Sequence, residues 1–178
     1  MYIETTLEDI QEANNLMKFY MDVDFKKSMH YAKEAFDLVD KVNDRSDIAY
    51  TFVSWAIAQY NHGDYEACLA YNLKALEIYQ SLADTAKMAT VFNNISGVSN
   101  ALGDYSAGVY YAYKAFLIHE SMRNWRKAGI ACINISSSYY ESKDYESSLT
   151  WARKGYRHFQ AANEPEEFGY AAQMFTDA

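Results

Sequence analysis

The segment GDYEACLAYNLKALEIYQ, residues 63–80, and the segment GDYSAGVYYAYKAFLIHE, residues 103–120, are two copies of one pattern. A third copy begins at Lys143, and a weaker one begins at Val23. Successive copies start 40 residues apart, so no insertion or deletion interrupts the register. An internal repeat of this length predicts a solenoid, in which each unit buries its apolar face against its neighbours.

Equivalent positions of the four copies carry side chains of similar size. Two aromatic columns and one small column have these members: Phe25, Tyr65, Tyr105 and Tyr145; Tyr31, Tyr71, Tyr111 and Trp151; Ala35, Ala75, Ala115 and Gly155. Apolar residues three, four and seven positions apart form one face of a helix, and small residues on that face let another helix approach. Each copy therefore predicts two helices joined by a turn, and the Asp after the turn is suited to cap the second helix.

The predicted helices alternate with short polar turns. We predict first helices at 4–21, 46–62, 85–102 and 125–142, and second helices at 24–42, 64–82, 104–122 and 144–161. The corresponding repeats are 4–42, 44–82, 84–122 and 124–162, within a single domain that spans 1–178. Pro165 is typical of a helix start, and Tyr170 and Phe175 continue the first-helix pattern. We therefore expect 165–178 to be a cap or a truncated fifth repeat.

Composition limits the partners. The net charge is −8, from 24 acidic and 16 basic residues, and neither residues 1–60 nor the remainder has more bases than acids. We therefore expect no basic region, no nucleic-acid partner and no membrane partner. No apolar run reaches the ~20 residues of a spanning helix, and no signal peptide is visible, so a cytoplasmic location is expected. Cys68 and Cys132 are interpreted as reduced core cysteines.

These columns resemble the tetratricopeptide repeat (TPR) family over nearly the whole chain. The matching residues are the Gly-Asp-Tyr turns and two sets of small residues twelve positions apart: Ala56, Ser96 and Ser136 in the first helices, and Cys68, Gly108 and Ser148 in the second. The chain departs from the family in its 40-residue period, where 34 is standard, and in Leu16, which occupies a small-residue position. The resemblance implies an all-α fold, a right-handed α-α superhelix of four hairpins plus a C-terminal partial helix.

The resemblance also implies that the first helices line a concave groove that binds a protein or peptide. The groove candidates are Met17, Tyr20, Tyr50, Val53, Ile57, Tyr60, Asn61, Asn93, Asn94, Gly97, Asn100, Ile130, Asn134, Ser137 and Tyr140. An Asn amide donates and accepts hydrogen bonds, which suits the backbone of an extended peptide, and Tyr offers a large contact area with few torsions to order. Alternatively, any one of these Asn residues only bridges adjacent hairpins.

The sequence offers little support for catalysis. His30, His62, His119 and His158 fall in different columns of the repeat, so the register gives no reason for them to converge on a metal. No phosphate loop or nucleophile elbow is present. We therefore expect no enzyme activity, no metal and no cofactor.

Long-period repeats of this kind resemble those of regulatory scaffolds and of sensor regions attached to signalling enzymes. We therefore interpret the chain as a regulatory or sensor module, the N-terminal part of a larger signalling protein. An alternative hypothesis is a scaffold that self-associates, a possible homo-oligomer, motivated by the apolar Phe175 near the end of the sequence. A third hypothesis is a small-molecule-binding or catalytic role, which only the aromatic lining of the groove motivates.

Overall fold

The computed structural model describes residues 7–20, 23–39 and 45–163. These residues form eight helices: α1 (Leu7–Tyr20), α2 (Phe25–Val39), α3 (Arg45–His62), α4 (Tyr65–Ser81), α5 (Thr85–Ala101), α6 (Tyr105–Ser121), α7 (Trp125–Glu141) and α8 (Tyr145–Ala161). The odd-numbered helices are the first helices of the hairpins, and the even-numbered helices are the second. The all-α fold class predicted from the repeat is confirmed. The predicted partial helix at 165–178 lies outside the described residues.

The turns inside the second, third and fourth hairpins follow one hydrogen-bonding scheme, which the α3–α4 turn illustrates. Gly63 adopts a φ of 85°, and its N–H donates to Tyr60 O over 3.0 Å, while the Asp64 N–H donates to Gln59 O over 3.0 Å. This pair of bonds is the Schellman arrangement that ends a helix. The Asp64 carboxylate then accepts the Ala67 N–H at 3.0 Å. A single Asp therefore closes one helix and caps the next.

The same scheme occurs where no glycine is available. Ala83, Arg123, Lys143 and Asn163 all have φ between 53° and 66°. These values lie in the left-handed backbone region, which non-glycine residues adopt at a steric cost. Contacts of the neighbouring helices offset that cost. The left-handed position recurs every 20 residues from residue 63 to residue 163, so the caps enforce the period of the repeat.

The chain divides into two compact units, residues 1–84 and 85–178. The first unit has an aromatic core, in which the Phe36 ring lies 5.9 Å from Phe52, 5.5 Å from Trp55 and 5.7 Å from Tyr71. The rings come from α2, α3 and α4, so they join the first two hairpins. Such offset and edge-on pairs add stability beyond the area they bury.

The second unit also contains aromatic contacts, such as Phe116 with Trp151 at 5.6 Å, and it adds serine hydrogen bonds at its helix crossings. Ser96 Oγ donates to Gly108 O at 2.8 Å, and Ser136 Oγ donates to Ser148 O at 2.8 Å. A Cβ on Gly155 would lie 3.2 Å from Cys132 Cβ, which shows how closely α7 and α8 approach. The serine hydroxyls thus bond across the crossing to the backbone of the partner helix.

Helix α1 does not follow this pattern. Its crossing with α2 is centred on Met17, whose carbonyl accepts from Ser28 Oγ at 3.0 Å, eleven residues later rather than twelve. Met17 is 0% exposed, whereas Leu16, which the repeat register placed at the crossing, is only partly buried. Leu is too large for the close approach that Ala56, Ser96 and Ser136 allow in the later hairpins, so α1 packs about one residue out of register.

Candidate functional site

In the first unit, the first-helix candidates that remain accessible form a mainly aromatic surface. Tyr20 and Tyr50 are both partly buried. Lys27 Nζ lies 4.9 Å from the centre of the Tyr20 ring, and Lys18 Nζ lies 4.7 Å from that of Tyr50. Each tyrosine therefore carries a lysine over its face, an attractive arrangement because the ring face is electronegative.

The remaining candidates of the first unit differ in exposure. Tyr60 is 42% exposed, and its ring lies 5.2 Å from that of Tyr65. Partial burial and the neighbouring Tyr65 and Cys68 raise the pKa of its hydroxyl, so the group is a neutral donor at physiological pH. Ile57 is half-buried and Asn61 is exposed at the end of α3.

Two predicted residues of the first unit belong to the core instead. Met17 packs with Ala32 and Ala58, and Val53 is 9% exposed. The shifted packing of α1 explains Met17, because it moves that residue from the predicted groove face to the helix crossing. Neither side chain offers a ligand a surface, which corrects the prediction at these two positions.

In the second unit, the first helices carry a row of amides. Asn134 Nδ2 on α7 donates to Asn93 Oδ1 on α5 at 3.4 Å. Ser138 Oγ, also on α7, donates to Asn100 Oδ1 at 2.8 Å. Both pairs join the third hairpin to the fourth, as the alternative interpretation of these Asn residues proposed.

The same amides keep hydrogen-bonding capacity. Within the described part of the chain, Asn93 Nδ2, Asn100 Nδ2 and Asn134 Oδ1 have no hydrogen-bond partner, and all three residues are only partly buried. An Asn side chain provides two donor hydrogens and two acceptor lone pairs. Bridging the hairpins and binding a ligand are therefore compatible in these residues. We refer to Asn93, Asn100, Asn134 and Ser138 as the amide row.

A notch lies beside the amide row at Gly97. A Cβ added to Gly97 would meet no atom within 4 Å, so the glycine leaves open space on α5. The other candidates of this unit, Asn94, Ile130, Ser137 and Tyr140, are all partly buried. Together they provide neutral polar and apolar groups, which suits an uncharged backbone more than a carboxylate or a phosphate.

Ser138 is the functional candidate that the sequence did not predict. Its hydroxyl lies 2.8 Å from Asn100 Oδ1 and 2.9 Å from the Asn134 carbonyl oxygen, so its single hydrogen is shared between these two acceptors. Its column in the repeat reads Lys18, Ala58, Val98 and Ser138, so no shared residue type marked it. The sequence marks Ser138 only as a polar residue in a column that is apolar at Ala58 and Val98.

Metal-binding and nucleophilic groups do not converge in this structure. No three His, Cys, Asp or Glu side chains come together as a metal site in the residues the structure describes. Burial raises the pKa of Cys68 to about 11 and that of Cys132 to about 12, so both stay protonated thiols and poor nucleophiles at neutral pH. His30 and His62 are exposed, whereas His119 is buried within the second unit.

The charge is divided unevenly between the units. Residues 1–84 contain 15 acidic and 7 basic residues, whereas 85–163 contain 5 acidic and 9 basic residues. The remaining residues, 164–178, add four acids. The expectation that the chain has no basic region is therefore wrong for 85–163. Charge counted over 1–60 and 61–178 hides this region, because the acids of 61–84 and 164–178 offset its bases. Over the described helices, none is long and apolar enough to cross a bilayer.

Comparison with solved structures identifies the fold as that of tetratricopeptide-repeat proteins. No family model and no curated protein sequence matches the chain. Among solved structures, it is similar to apo RapI, with a TM-score of 0.85 and 18% identity over 95% of this chain and 62% of RapI. It is also similar to a signal transduction ATPase with a tetratricopeptide repeat sensor from Pyrococcus horikoshii, with a TM-score of 0.80 and 20% identity over 94% of this chain and 27% of that one.

A third similar structure contains a ligand. It is a Rap protein complexed with competence and sporulation factor, with a TM-score of 0.78 and 22% identity over 96% of this chain and 48% of that chain. The present chain spans less than two thirds of the length of each of these three proteins.

Proposed function

Because the chain has the tetratricopeptide-repeat fold, we propose that it is a regulatory module that binds an extended peptide or protein segment on its first helices. The observation that carries the proposal is the amide row of the second unit. Its three asparagine side chains are held in place by bonds between hairpins, yet retain donors and acceptors at a partly open surface. Ser138 is buried and supports them. Preorganised groups of this kind lose little freedom on binding, which favours affinity.

The surface chemistry favours backbone recognition. Asn93 and Asn134 can each pair with a peptide N–H or C=O, and the Gly97 notch can accommodate one side chain of the ligand. The similar Rap protein was solved with competence and sporulation factor, and the similar ATPase carries a repeat sensor. These relatives support a regulatory role for the present chain, which we propose on that basis.

The first test is a screen of synthetic octapeptides against the purified chain, followed by fluorescence anisotropy with the tightest binder. Replacing Asn93 or Asn134 by Ala removes one hydrogen bond to the ligand and should weaken binding about twofold to tenfold. The Tyr60→Ala variant asks whether the ligand also contacts the first unit.

The matched control is Gln160→Ala, which removes an exposed amide from α8 of the same unit. Its affinity should equal that of the parent chain. Equal affinity of the Asn93→Ala and Asn134→Ala variants would refute the assignment of the amide row. Failure of every octapeptide to bind would refute peptide recognition itself.

A further inference from the structure

A second surface lies on the outer helices of the second unit, away from the amide row. On α6, Tyr110, Tyr113 and Leu117 are 54%, 44% and 47% exposed, and they are spaced as one stripe along the helix. On α8, Arg153 and Arg157 stand 40 residues after Tyr113 and Leu117, and both are exposed. Equivalent positions of successive second helices face the same way, so an apolar stripe and a basic stripe lie side by side. We call these five residues the outer face.

Contacts between α6 and α8 hold the two stripes together. The Tyr113 ring lies 5.9 Å from that of Trp151, and Lys154 Nζ lies 4.1 Å from the centre of the Phe116 ring. Neither Arg153 nor Arg157 forms an ion pair with any described residue. The outer face therefore combines exposed aromatic area with unpaired guanidinium groups, a composition typical of protein interfaces.

The first unit of the chain carries a surface of complementary chemistry. A shallow depression on α1 is lined by Glu8, Gln11, Glu12, Asn15, Leu16 and Phe19. Glu8 and Glu12 are exposed near the start of the helix, and Phe19 is 67% exposed near its end. In later hairpins the position of Glu12 is held by Phe52, Phe92 and Cys132, which are at least partly buried, so α1 presents acids where the repeat is otherwise apolar.

We propose that α1 of one copy of this chain docks on the outer face of another copy. Glu8 and Glu12 pair with Arg153 and Arg157, while Leu16 and Phe19 cover the apolar stripe of α6. The charge distribution favours this orientation, because residues 1–84 carry a net charge of −8, whereas the second unit is neutral overall and carries a net charge of +4 over residues 85–163. The contact joins two different surfaces, so it is heterologous.

The test is sedimentation velocity of the full chain over a concentration series at low and at high salt. The parent chain should associate, and its apparent dissociation constant should rise with salt, because exposed charge pairs are screened. The double variants Arg153→Glu/Arg157→Glu and Glu8→Lys/Glu12→Lys should each raise that constant at least about tenfold. The control Lys26→Glu/Lys33→Glu changes the net charge as much as the arginine variant does, on exposed α2 positions, and should associate like the parent.

Mixing gives the sharper result. The arginine variant keeps an intact α1, and the glutamate variant keeps an intact outer face. Each should sediment as a monomer alone in low salt, whereas an equimolar mixture of the two should associate. In the mixture the intact α1 meets the intact outer face, and the two reversed surfaces are also of opposite charge. A parent chain that stays monomeric, or association that both double variants leave unchanged, would overturn the proposal. So would binding of the parent to phosphatidylserine vesicles without self-association, which would reassign the outer face to an anionic membrane.

Discussion

The two units use one sequence register for different surfaces. In the second unit, Asn134 and Ser137 lie partly open on a first helix. In the first unit the same two columns contain Asn14 and Met17, which are 1% and 0% exposed. Asn14 Nδ2 donates to the buried Thr51 hydroxyl at 3.1 Å, so its amide joins helices inside the core. The comparison shows that the 40-residue period determines the helices and their caps, while the packing of each first helix determines which columns reach the surface.

The largest expected effect tests this difference in burial directly. Met17→Ala removes a fully buried side chain, and large-to-small core changes of this kind cost about 2–5 kcal/mol of unfolding free energy. Ser137→Ala, in the same column of the fourth hairpin, should change stability by no more than about 0.5 kcal/mol. Urea denaturation of both variants measures the contrast. Equal losses would show that α1 is not packed out of register.

A second contrast concerns a column that is aromatic in the second and fourth hairpins. Tyr79 and Phe159 are 2% and 3% exposed, and the third hairpin places His119 there, also 2% exposed. Neither ring nitrogen of His119 has a hydrogen-bond partner. Burying a polar group without a partner costs about 1–3 kcal/mol, so His119→Phe should stabilise the chain by up to that amount at neutral pH.

The same substitution should change the pH dependence of stability. Burial, and then the charge of Lys127, lower the pKa of His119 below 6.5 in the folded chain. The unfolded chain therefore binds a proton that the folded chain excludes, and stability falls as pH drops through the unfolded pKa. Denaturation at pH 7.5 and at pH 5.5 should show a smaller acid loss for His119→Phe than for the parent. The control is Tyr79→Phe in the first unit. Between pH 7.5 and pH 5.5 it should lose as much unfolding free energy as the parent chain does.

The sequence predicted the helices better than the surfaces. The predicted second helices at 64–82 and 104–122 agree closely with Tyr65–Ser81 and Tyr105–Ser121, because their Asp caps act within four residues and the repeat displays them directly. The position of α1 depends instead on a contact between residues eleven apart in sequence, Met17 and Ser28. Leu16 was the visible departure from the repeat, but its consequence follows only from the packing against α2.

The amide row depends on close approach at a second glycine position, which gives the next prediction. A Cβ on Gly108 would collide with Asn100 Oδ1 and lie 2.7 Å from Ser138 Oγ. Gly108→Ala should therefore destabilise the second unit by about 1–3 kcal/mol, as overpacking does, and displace the Asn100 side chain. Thermal denaturation measures the first effect, and the side-chain amide signal of Asn100 in NMR measures the second. An unmoved amide signal would contradict the tight fit.

Substitutions at Gly97 should change stability little, and they separate binding from folding. A Cβ there meets no atom within 4 Å, and glycine is less favourable than alanine inside a helix by up to ~1 kcal/mol. Gly97→Ala should therefore stabilise the chain by up to that amount in urea denaturation, the opposite sign to Gly108→Ala. Gly97→Leu should also fold normally, but its side chain fills the notch beside Asn93 and Asn134. If an extended peptide occupies this surface, Gly97→Leu weakens binding of the selected octapeptide severalfold while the melting temperature stays at or above that of the parent. A Gly97→Leu chain that binds as tightly as the parent would place the ligand elsewhere on the first helices.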